Sequence, residues 1–250
     1  MFLEQLKIEF KVYLRQPLYL IFSVFMPLIS FAIFGSIYGH MNYGNVDFFS
    51  QYIPSFCVII LFSSSVYNVG NQVVSDKEKG IYKRLRVTPI KLWKIILALV
   101  LKAMIISMIS YILIILFAVF YFKISMPNLI TFSVIYAFAV IYSLILGVGL
   151  GIIINRINTY SGVLMMIFIP LFILSDAMMP ISIFPKWMQT LANYNPLYRL
   201  NIFLRYFWNT ASNISTEKVL FSITYLSIFM VIFLIIVGYR WNQGQYRSYK

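Results

Sequence analysis

The sequence is poor in the side chains on which metal, redox and nucleophilic chemistry depend. Its 250 residues include one cysteine, Cys57, one histidine, His40, and 7 acidic residues. A single cysteine excludes an intrachain disulfide and a thiolate zinc cluster. We interpret His40 as a loop residue at a membrane interface, with a catalytic or ligand role as the alternative. The sequence therefore predicts no catalytic residues and no metal site.

Charged residues are also scarce for a chain of this length. Only 11% of the residues are charged and 61% are hydrophobic, whereas an average soluble domain is roughly 25% charged. The apolar residues form blocks of on the order of 20 residues, the length that crosses a bilayer core as a helix. Because these blocks do not alternate apolar and polar residues, we expect helices and not a barrel. The predicted fold class is an all-α membrane protein with six transmembrane helices, at residues 18–38, 52–74, 92–122, 129–154, 160–178 and 219–239.

The basic residues are unevenly distributed along the chain. If the N-terminus is cytoplasmic, fourteen of the 20 lysines and arginines lie in cytoplasmic segments, as the positive-inside rule requires. We therefore predict a multi-pass protein of the cell membrane, specifically of a bacterial cytoplasmic membrane. Both termini are expected in the cytoplasm. Contact with the lipid bilayer and a protein partner accounts for the net charge of +13. The basic residues flank spans and form no basic soluble domain, so no nucleic-acid partner is predicted.

Residues 1–16 have the pattern of an amphipathic helix lying on the cytoplasmic surface. Apolar residues recur at helical spacing on one face, and charged residues take another face. A simple charged flank that sets the orientation of the first span is the alternative. The apolar positions are Leu3, Leu6, Phe10 and Tyr13, and the charged positions are Glu4, Lys7, Lys11 and Arg15.

The second span carries a stripe of polar residues. Ser64, Asn68, Asn71 and Ser75 follow helical spacing, and Tyr67 and Gln72 lie beside them. Two interpretations are equally open: hydrogen bonds between helices, or a wettable wall of a transport path.

Two charged residues and a glycine run lie within or at the ends of the predicted spans. Lys102, about two turns inside the third span, is expected to snorkel to the interface, with a place in a cavity wall as the alternative. Asp176 ends the fifth span on the opposite side of the membrane. The run Gly147–Gly151, GVGLG, lies within an apolar span, so we expect close helix packing and not a nucleotide-binding loop.

Residues 179–209 are apolar but interrupted by prolines. Pro180, Pro185 and Pro196 leave pieces that are too short to cross a bilayer. We expect two short re-entrant helices in the outer leaflet, the second one beginning after Asn195. The aromatic residues that suit this interface depth are Trp187, Tyr194, Tyr198 and Trp208.

Residues 76–88 form the most charged segment of the chain and lie between the second and third spans. Acidic residues at the start and basic residues at the end predict a short cytoplasmic helix, because this order suits the helix dipole. Ile81 and Leu85 are four residues apart and offer an apolar contact. Thr88 is the expected N-cap of the next helix, with Pro89 at its first position.

These segments resemble the ABC-2 type transporter permeases. SDKEKGIYKRLRVTPIKLWKIILALVL is similar to the family's segment in which an acidic residue, a glycine, a leucine and a Thr-Pro pair lead into the third transmembrane helix. MMPISIFPKWMQTLANYNPLYRLNIFLR is similar to its segment before the last span, and the likeness extends over the whole chain as a single transmembrane domain of residues 1–250. One departure is that Ser175 is followed by Asp176, where family members often have glycine. The matching positions are Glu78, Gly80, Leu85, Thr88, Pro89, Pro180, Pro185 and Pro196.

The resemblance implies a homo- or heterodimer of permeases that pairs with two separate ABC ATPase subunits. The segment 76–88 would be the coupling helix that docks on the ATPase, through Glu78, Gly80, Ile81, Arg84, Leu85, Thr88 and Pro89. Spans two and five would line the translocation path, and the residues that we place there are Ser64, Tyr67, Asn68, Asn71 and Met165.

The sequence itself contains no GxxxxGK[ST] loop. We therefore expect no cofactor on this chain and no enzymatic activity, with ATP and Mg bound by the partner ATPase. The predicted function is the permease subunit of an ATP-driven ABC exporter that moves an amphipathic or hydrophobic cargo, such as a drug, a peptide or a lipid-like molecule, by alternating access. The alternatives are an integral membrane lipid transferase and an ion-coupled secondary transporter.

Overall fold

The structure, a computed structural model, describes residues 2–15, 17–39, 42–43, 46–85, 92–126, 128–177, 181–208 and 214–246. Two antiparallel strands of two residues each, Asn42–Tyr43 and Val46–Asp47, pair with one another. The other regular elements in these ranges are helices. They are α1 (Phe2–Leu14), α2 (17–38), α3 (Phe48–Glu78), α4 (Ile81–Leu85), α5 (Leu92–Phe120), α6 (Leu129–Ile153), α7 (Ile157–Ile173), α8 (Lys186–Ala192), α9 (Pro196–Trp208) and α10 (Thr216–Tyr246).

Four of these helices, α3, α5, α6 and α10, are long and apolar enough to cross a membrane. The first and fifth predicted spans correspond to shorter apolar helices within α2 and α7. The prediction of a helical, multi-pass membrane protein is therefore confirmed.

Helix α3 lies at the centre of the packed core. Ile53, Cys57 and Ile60 on this helix are completely buried, and rings from the neighbouring helices surround them. Phe31 of α2 stacks on Tyr52, and Tyr136 of α6 stacks on Tyr111 of α5. Helix α10, by contrast, lies at the periphery and leaves most of its apolar side chains exposed.

Three of the helices contain π-helical turns, at Ile21–Phe25 in α2, Ser63–Gly70 in α3 and Leu164–Phe168 in α7. In α2 the turn precedes Pro27, which has no N–H to donate to the carbonyl oxygen of Ser23. The hydroxyl of Ser110 in α5 donates to that oxygen at 2.9 Å. Pro27 therefore leaves a backbone acceptor that a neighbouring helix satisfies.

In α3 the serine run explains where the winding changes. Ser63 Oγ donates to the carbonyl oxygen of Ile60 at 3.1 Å, and Ser65 Oγ donates to that of Leu61 at 2.5 Å. These side-chain bonds compete with the backbone bonds of an α-helix and are known to bend helices. The π-helical turn begins at Ser63, where this competition occurs.

Helices α3 and α6 approach each other closely through glycine. A Cβ atom at Gly147 would overlap the backbone of Ser65, and one at Gly151 would lie 2.7 Å from Val73 Cβ. Gly149 faces α10 instead, where a Cβ would overlap the ring of Phe233. The prediction that the GVGLG run serves close helix packing is therefore confirmed.

The proline-interrupted segment contains the two expected short helices, α8 and α9, after a 3₁₀ turn at Ile181–Ile183. Asn195 Oδ1 accepts a hydrogen bond from the N–H of Leu197 at 2.9 Å, so Asn195 caps α9. Trp187 and Tyr194 are exposed as expected, but Trp208 is buried. Its indole packs edge-on against Phe132 of α6, so Trp208 contacts protein, and its depth in the membrane stays a prediction.

The segment 76–88 differs from the single helix that we predicted. Asp76 and Glu78 belong to the last turns of α3, and the chain turns at Gly80, which has a φ of +70°. Because a positive φ ends a helix and suits glycine, α3 ends before this turn and a separate helix begins at Ile81, which the structure describes as far as Leu85. Thr88 and Pro89 lie outside the described residues.

We predict that Gly147→Ala destabilises the protein. The added methyl group would force α3 and α6 apart, and overpacking of this kind costs about 1–3 kcal/mol. The free energy of unfolding in detergent, measured by titration with a denaturing detergent, checks this. Gly238→Ala in α10 is the matched control, because a Cβ there meets open space. Equal stability of the two variants would contradict the packing.

Candidate functional site: the coupling segment and the polar cavity

A partly open polar cavity lies between α1, α3 and α5, near the end of α3 that leads to α4. Its volume is about 140 Å³, which is room for a few water molecules. One side of α3 provides most of its polar wall, and α1 and α5 close the other sides. The polar lining includes Tyr13, Asn68, Gln72, Asp76, Lys79 and Lys102.

Lys102 and Glu9 form a buried ion pair in this wall. Lys102 Nζ lies 3.0 Å from Glu9 Oε2 and donates to Gln72 Oε1 at 2.7 Å. Gln72 Nε2 in turn donates to Glu9 Oε2 at 3.1 Å. Because this carboxylate lies within reach, the ammonium group remains inside the protein. The prediction that Lys102 snorkels to the surface is wrong, and the alternative of a cavity wall is correct.

The same contacts change the interpretation of the N-terminal helix. Glu9 and Tyr13 are buried because α1 packs along α5, whereas Leu3 is largely exposed. The Lys102 ammonium also lies 5.9 Å from the centre of the Tyr13 ring. One face of α1 therefore binds the body of the protein. Tyr13, which we expected on the apolar lipid face, lies on this protein-facing side.

The polar stripe of α3 divides between two surroundings. Ser64 is hydrogen-bonded to Ser107 of α5, and Asn68 donates to Ser23 of α2. These bonds are the hydrogen bonds between helices that we considered as one of the two interpretations. Ser64 and Asn68 thus form an inward row that faces α5 and α2. Since the wider winding of the π-helical turn keeps residues four apart on one side of the helix, Gln72 and not Asn71 continues this inward row.

The other residues that we assigned to a path lie elsewhere on α3 and α7. Tyr67 is 43% exposed and Met165 is 69% exposed in the single chain. Asn71 is partly exposed, but its Oδ1 atom is buried and has no hydrogen-bond partner among the described residues. Ser75 lines the cavity. The structure thus brings Ser64, Asn68 and Ser75 together and leaves Tyr67 and Met165 outside this group.

The end of α3 caps the two neighbouring helices. Lys77 Nζ donates to the carbonyl oxygen of Ile152 at 2.5 Å, at the C-terminal end of α6. Glu78 Oε2 accepts a hydrogen bond from the N–H of Ile157 at 2.9 Å, at the N-terminal end of α7. Both contacts suit the helix dipoles, and each typically contributes about 0.3–1 kcal/mol. Glu78, which we placed at the ATPase interface, is thus engaged within the chain.

The short helix α4 exposes part of the predicted coupling surface. Arg84 is exposed, and Ile81 and Leu85 are half-buried. Tyr82 packs against the main core and joins α4 to the body of the protein. Burial raises the pKa of Tyr82, and the nearby carboxylates of Asp76 and Glu9 raise it further, so its phenol remains protonated.

A second polar cluster joins the end of α7 to α3 and α9. Asp176 forms an ion pair with Arg205, whose Nη2 atom also donates to the carbonyl oxygen of Asp176 and to Ser55 Oγ, at 2.8 Å each. Asn201 Nδ2 donates to the carbonyl oxygen of Ser175 at 3.0 Å. Asp176 has a φ of +60°, a conformation that favours glycine. Asp176, which stands where the permeases that this chain resembles often have glycine, therefore retains the backbone conformation that glycine adopts easily. It also adds a negative charge, which forms an ion pair with Arg205.

Across the part of the chain that the structure describes, no three His, Cys, Asp or Glu side chains come together as metal ligands. The arrangement instead consists of paired charges, hydrogen-bonded helix ends and a small polar cavity. Such features position helices relative to one another.

Together these features define a multi-pass helical membrane protein with a short exposed helix between two long spans. Residues 2–207 match the ABC-2 type transporter family, and the chain belongs to this family. It is therefore a membrane permease component of a transporter, a non-catalytic transmembrane subunit. A protein named "Putative transport permease ycf38" from Cyanophora paradoxa is 25% identical over 224 residues, which cover 86% of this chain and 76% of the relative.

Several contacts at these sites were not found by sequence reasoning. Glu9 was not assigned to either face of α1, although an acidic residue between Lys7 and Lys11 that falls outside the charged face was a signal of a separate partner. Arg205 and Tyr160 gave no signal, because their partners are distant in sequence. Tyr160, completely buried, donates to the carbonyl oxygen of Val66 within the π-helical turn of α3.

We predict that Lys102→Met strongly destabilises the protein. The change leaves Glu9 buried without its partner, and breaking a buried pair costs about 3–5 kcal/mol. The double variant Glu9→Gln with Lys102→Met removes both charges and should recover most of this loss. The free energy of unfolding in detergent checks the cycle.

The matched control is Lys186→Met, since Lys186 is exposed and its loss should change stability by less than about 0.5 kcal/mol. If Lys102→Met behaves like this control, the ion pair does not exist in the folded protein.

Proposed function

We propose that this chain is the membrane subunit of an ATP-driven exporter. Two ABC ATPase subunits supply the energy, and a second permease copy or a related permease completes the transporter. The single observation that carries the proposal is the position of α4: an exposed helix between two long spans, in a chain that matches the ABC-2 family over residues 2–207. Family membership also favours a permease over a lipid transferase or an ion-coupled transporter.

The proposed membrane arrangement has six crossings, with α2 and α7 completing the four long spans. Both termini, α1 and α4 lie in the cytoplasm, because this arrangement places most lysines and arginines there. Helices α8 and α9 then lie at the outer surface as re-entrant helices. All 250 residues form one transmembrane domain in this proposal.

The proposed translocation path runs along the exposed side of α3 and α7, at the seam between the two permeases. Tyr67, Asn71 and Met165 face this seam, while Ser64 and Asn68 hold the wall in place from behind through their bonds to neighbouring helices. The most exposed of these side chains, Tyr67 and Met165, are aromatic and apolar, and Asn71 adds a polar group. The proposed cargo is therefore an amphipathic or hydrophobic molecule such as a drug, a peptide or a lipid-like compound, which alternating access moves outward.

The proposed docking surface for the ATPase comprises α4 and its flanks. Ile81 and Leu85 supply its apolar centre, Arg84 a charge at the rim, and Thr88 and Pro89 follow in the chain. Gly80 sets the direction of α4 by its positive φ. Glu78 belongs to the support of this surface, because its carboxylate is bonded to α7.

We predict that Ile81→Asp detaches the ATPase or uncouples it from the permease. Loss of an apolar anchor at an interface costs about 2 kcal/mol or more, whereas the loss of a rim charge usually costs little. Lys83→Ala, on the same helix, should therefore have a much smaller effect. The measurements are recovery of the ATPase with the purified permease and ATP hydrolysis by the recovered complex, in membranes with equal permease content.

The purified chain without its partner is expected to hydrolyse no ATP. The docking proposal fails if Ile81→Asp inserts normally and retains the ATPase at the parental level.

We also predict that cysteine at Tyr67 or Met165, in a Cys57→Ala background, reacts with water-soluble thiol reagents. A path that opens to water exposes these positions, and the rate should change when ATP and vanadate are added to the complex. Cysteine at Phe138, an exposed apolar position in the middle of α6, is the control for a side chain in lipid. Reaction at Tyr67 and Met165 as slow as at Phe138, in every nucleotide state, would place them in lipid and not in a path.

A further inference from the structure

The end of α3 is tied to both sides of the short connection between α6 and α7. The connection consists of residues 154–156. Lys77 Nζ donates to the carbonyl oxygens of Ile152 at 2.5 Å and Ile154 at 3.4 Å. Glu78 Oε2 accepts from the N–H of Ile157 at 2.9 Å. Two consecutive residues of one helix thus hold the last turn of α6 and the first turn of α7.

These contacts satisfy groups that the connection does not satisfy itself. The last carbonyl groups of a helix and its first N–H groups have no partners within that helix. Arg156 occupies the N-cap position of α7, but its side chain makes no capping hydrogen bond. Glu78 therefore supplies the cap from a different helix, and Lys77 does the same for α6 with the opposite charge, as each dipole requires.

Apolar packing supports the charged contacts from the membrane side. Val74, one turn before Glu78, is completely buried against Tyr160 and Leu164 of α7. The α3 turn that carries Lys77 and Glu78 packs against both α6 and α7. The hydrogen bonds of Lys77 and Glu78 therefore join surfaces that are already held close together. Forming them requires little additional loss of conformational entropy.

Only two residues separate these contacts from α4. Lys79 N donates to the carbonyl oxygen of Ser75 at 2.9 Å, and Gly80 N donates to that of Lys77 at 3.1 Å. The N–H of Lys83 then donates to the carbonyl oxygen of Gly80 at 3.1 Å. A continuous series of backbone hydrogen bonds thus connects α4 to the turn that holds α6 and α7.

We propose that Lys77 and Glu78 are positioning residues that carry a displacement of α4 into α6 and α7. We call this pair with residues 154–157 the helix clamp. The inference rests on the proposed docking of an ATPase on α4. A displacement of α4 rotates the end of α3, and the helix clamp makes the 154–156 connection move with it. The signal therefore reaches α7, which bears Met165, directly and not only through the bilayer-embedded part of α3.

The test uses hydrogen exchange of the permease–ATPase complex in lipid nanodiscs, followed in peptides that cover residues 154–163. Glu78→Ala and Lys77→Met should speed exchange in these peptides about twofold to fivefold, as expected for the loss of one helix-end contact. Glu78→Gln keeps an acceptor and Lys77→Arg keeps a donor, so both should restore most of the protection. The matched controls are Glu217→Ala and Lys186→Met, which change exposed residues elsewhere.

The second measurement is the change in exchange when ATP and vanadate are added. The parental complex should show a nucleotide-dependent change in exchange in residues 154–163. Glu78→Ala and Lys77→Met should lose this change while retaining the ATPase. The conservative variants Glu78→Gln and Lys77→Arg should recover it. The inference is overturned if exchange without nucleotide is the same in all variants. It is equally overturned if the parental complex shows no nucleotide-dependent change there, or if Glu78→Ala and Lys77→Met keep the full change.

Ile81→Asp separates this inference from the proposed function. If Ile81→Asp abolishes the nucleotide-dependent change and the Lys77 and Glu78 variants do not, docking on α4 stands and the helix clamp is wrong. If Ile81→Asp keeps both the ATPase and the full change, the proposed docking is wrong and the inference fails with it.

Discussion

The close approach of α3 and α6 is the contact on which the other features of this protein depend. Glycines at 147 and 151 remove the side chains that would hold the helices apart. At this depth α3 changes to π-helical winding, and Tyr160 of α7 donates to the carbonyl oxygen of Val66 there. Gly70 is required for the same reason, since a Cβ there would overlap the Tyr160 hydroxyl. Backbone groups in lipid must be satisfied internally, so one cluster of contacts fixes both the distance and the winding of three helices.

The positions of the charged residues follow from the same requirement. A charge inside an apolar protein is costly unless it is paired and hydrogen-bonded. Lys102 has Glu9 and Gln72, and Asp176 has Arg205, so each of these two ion pairs joins different parts of the chain. The first pair fixes α1 to α5, and the second fixes the end of α7 to α9. The chain contains few charged residues, and these two buried ion pairs hold specific helices against one another.

Mechanical continuity is the functional consequence of this packing. The α3 helix reaches from the cluster of Asp176 and Arg205, which it joins through Ser55, to the turn at Gly80. Its inward row bonds to α2 and α5, and its end caps α6 and α7. A transporter membrane domain needs such a central element, because energy supplied outside the membrane must reorient helices within it. Helix α10 makes fewer buried contacts and is the least involved in this arrangement.

The sequence by itself determined the membrane class, the helical fold, the family, the glycine packing of Gly147–Gly151 and the short helices α8 and α9. These features depend on local patterns: apolar block length, glycine and proline positions, and capping residues such as Asn195. Only the tertiary structure decided which polar groups meet. Lys102 finds Glu9 93 positions away along the chain, and Glu78 finds Ile157 79 positions away. The sequence also did not indicate that α3 would wind as a π-helix, and this winding is why Gln72 and not Asn71 follows Asn68 on the inward face. Helix periodicity assumes one winding throughout. The serine run marks where the winding of α3 changes, but the contacts made at this winding, the close approach of α6 and the bond from Tyr160 to Val66, come from residues distant in sequence.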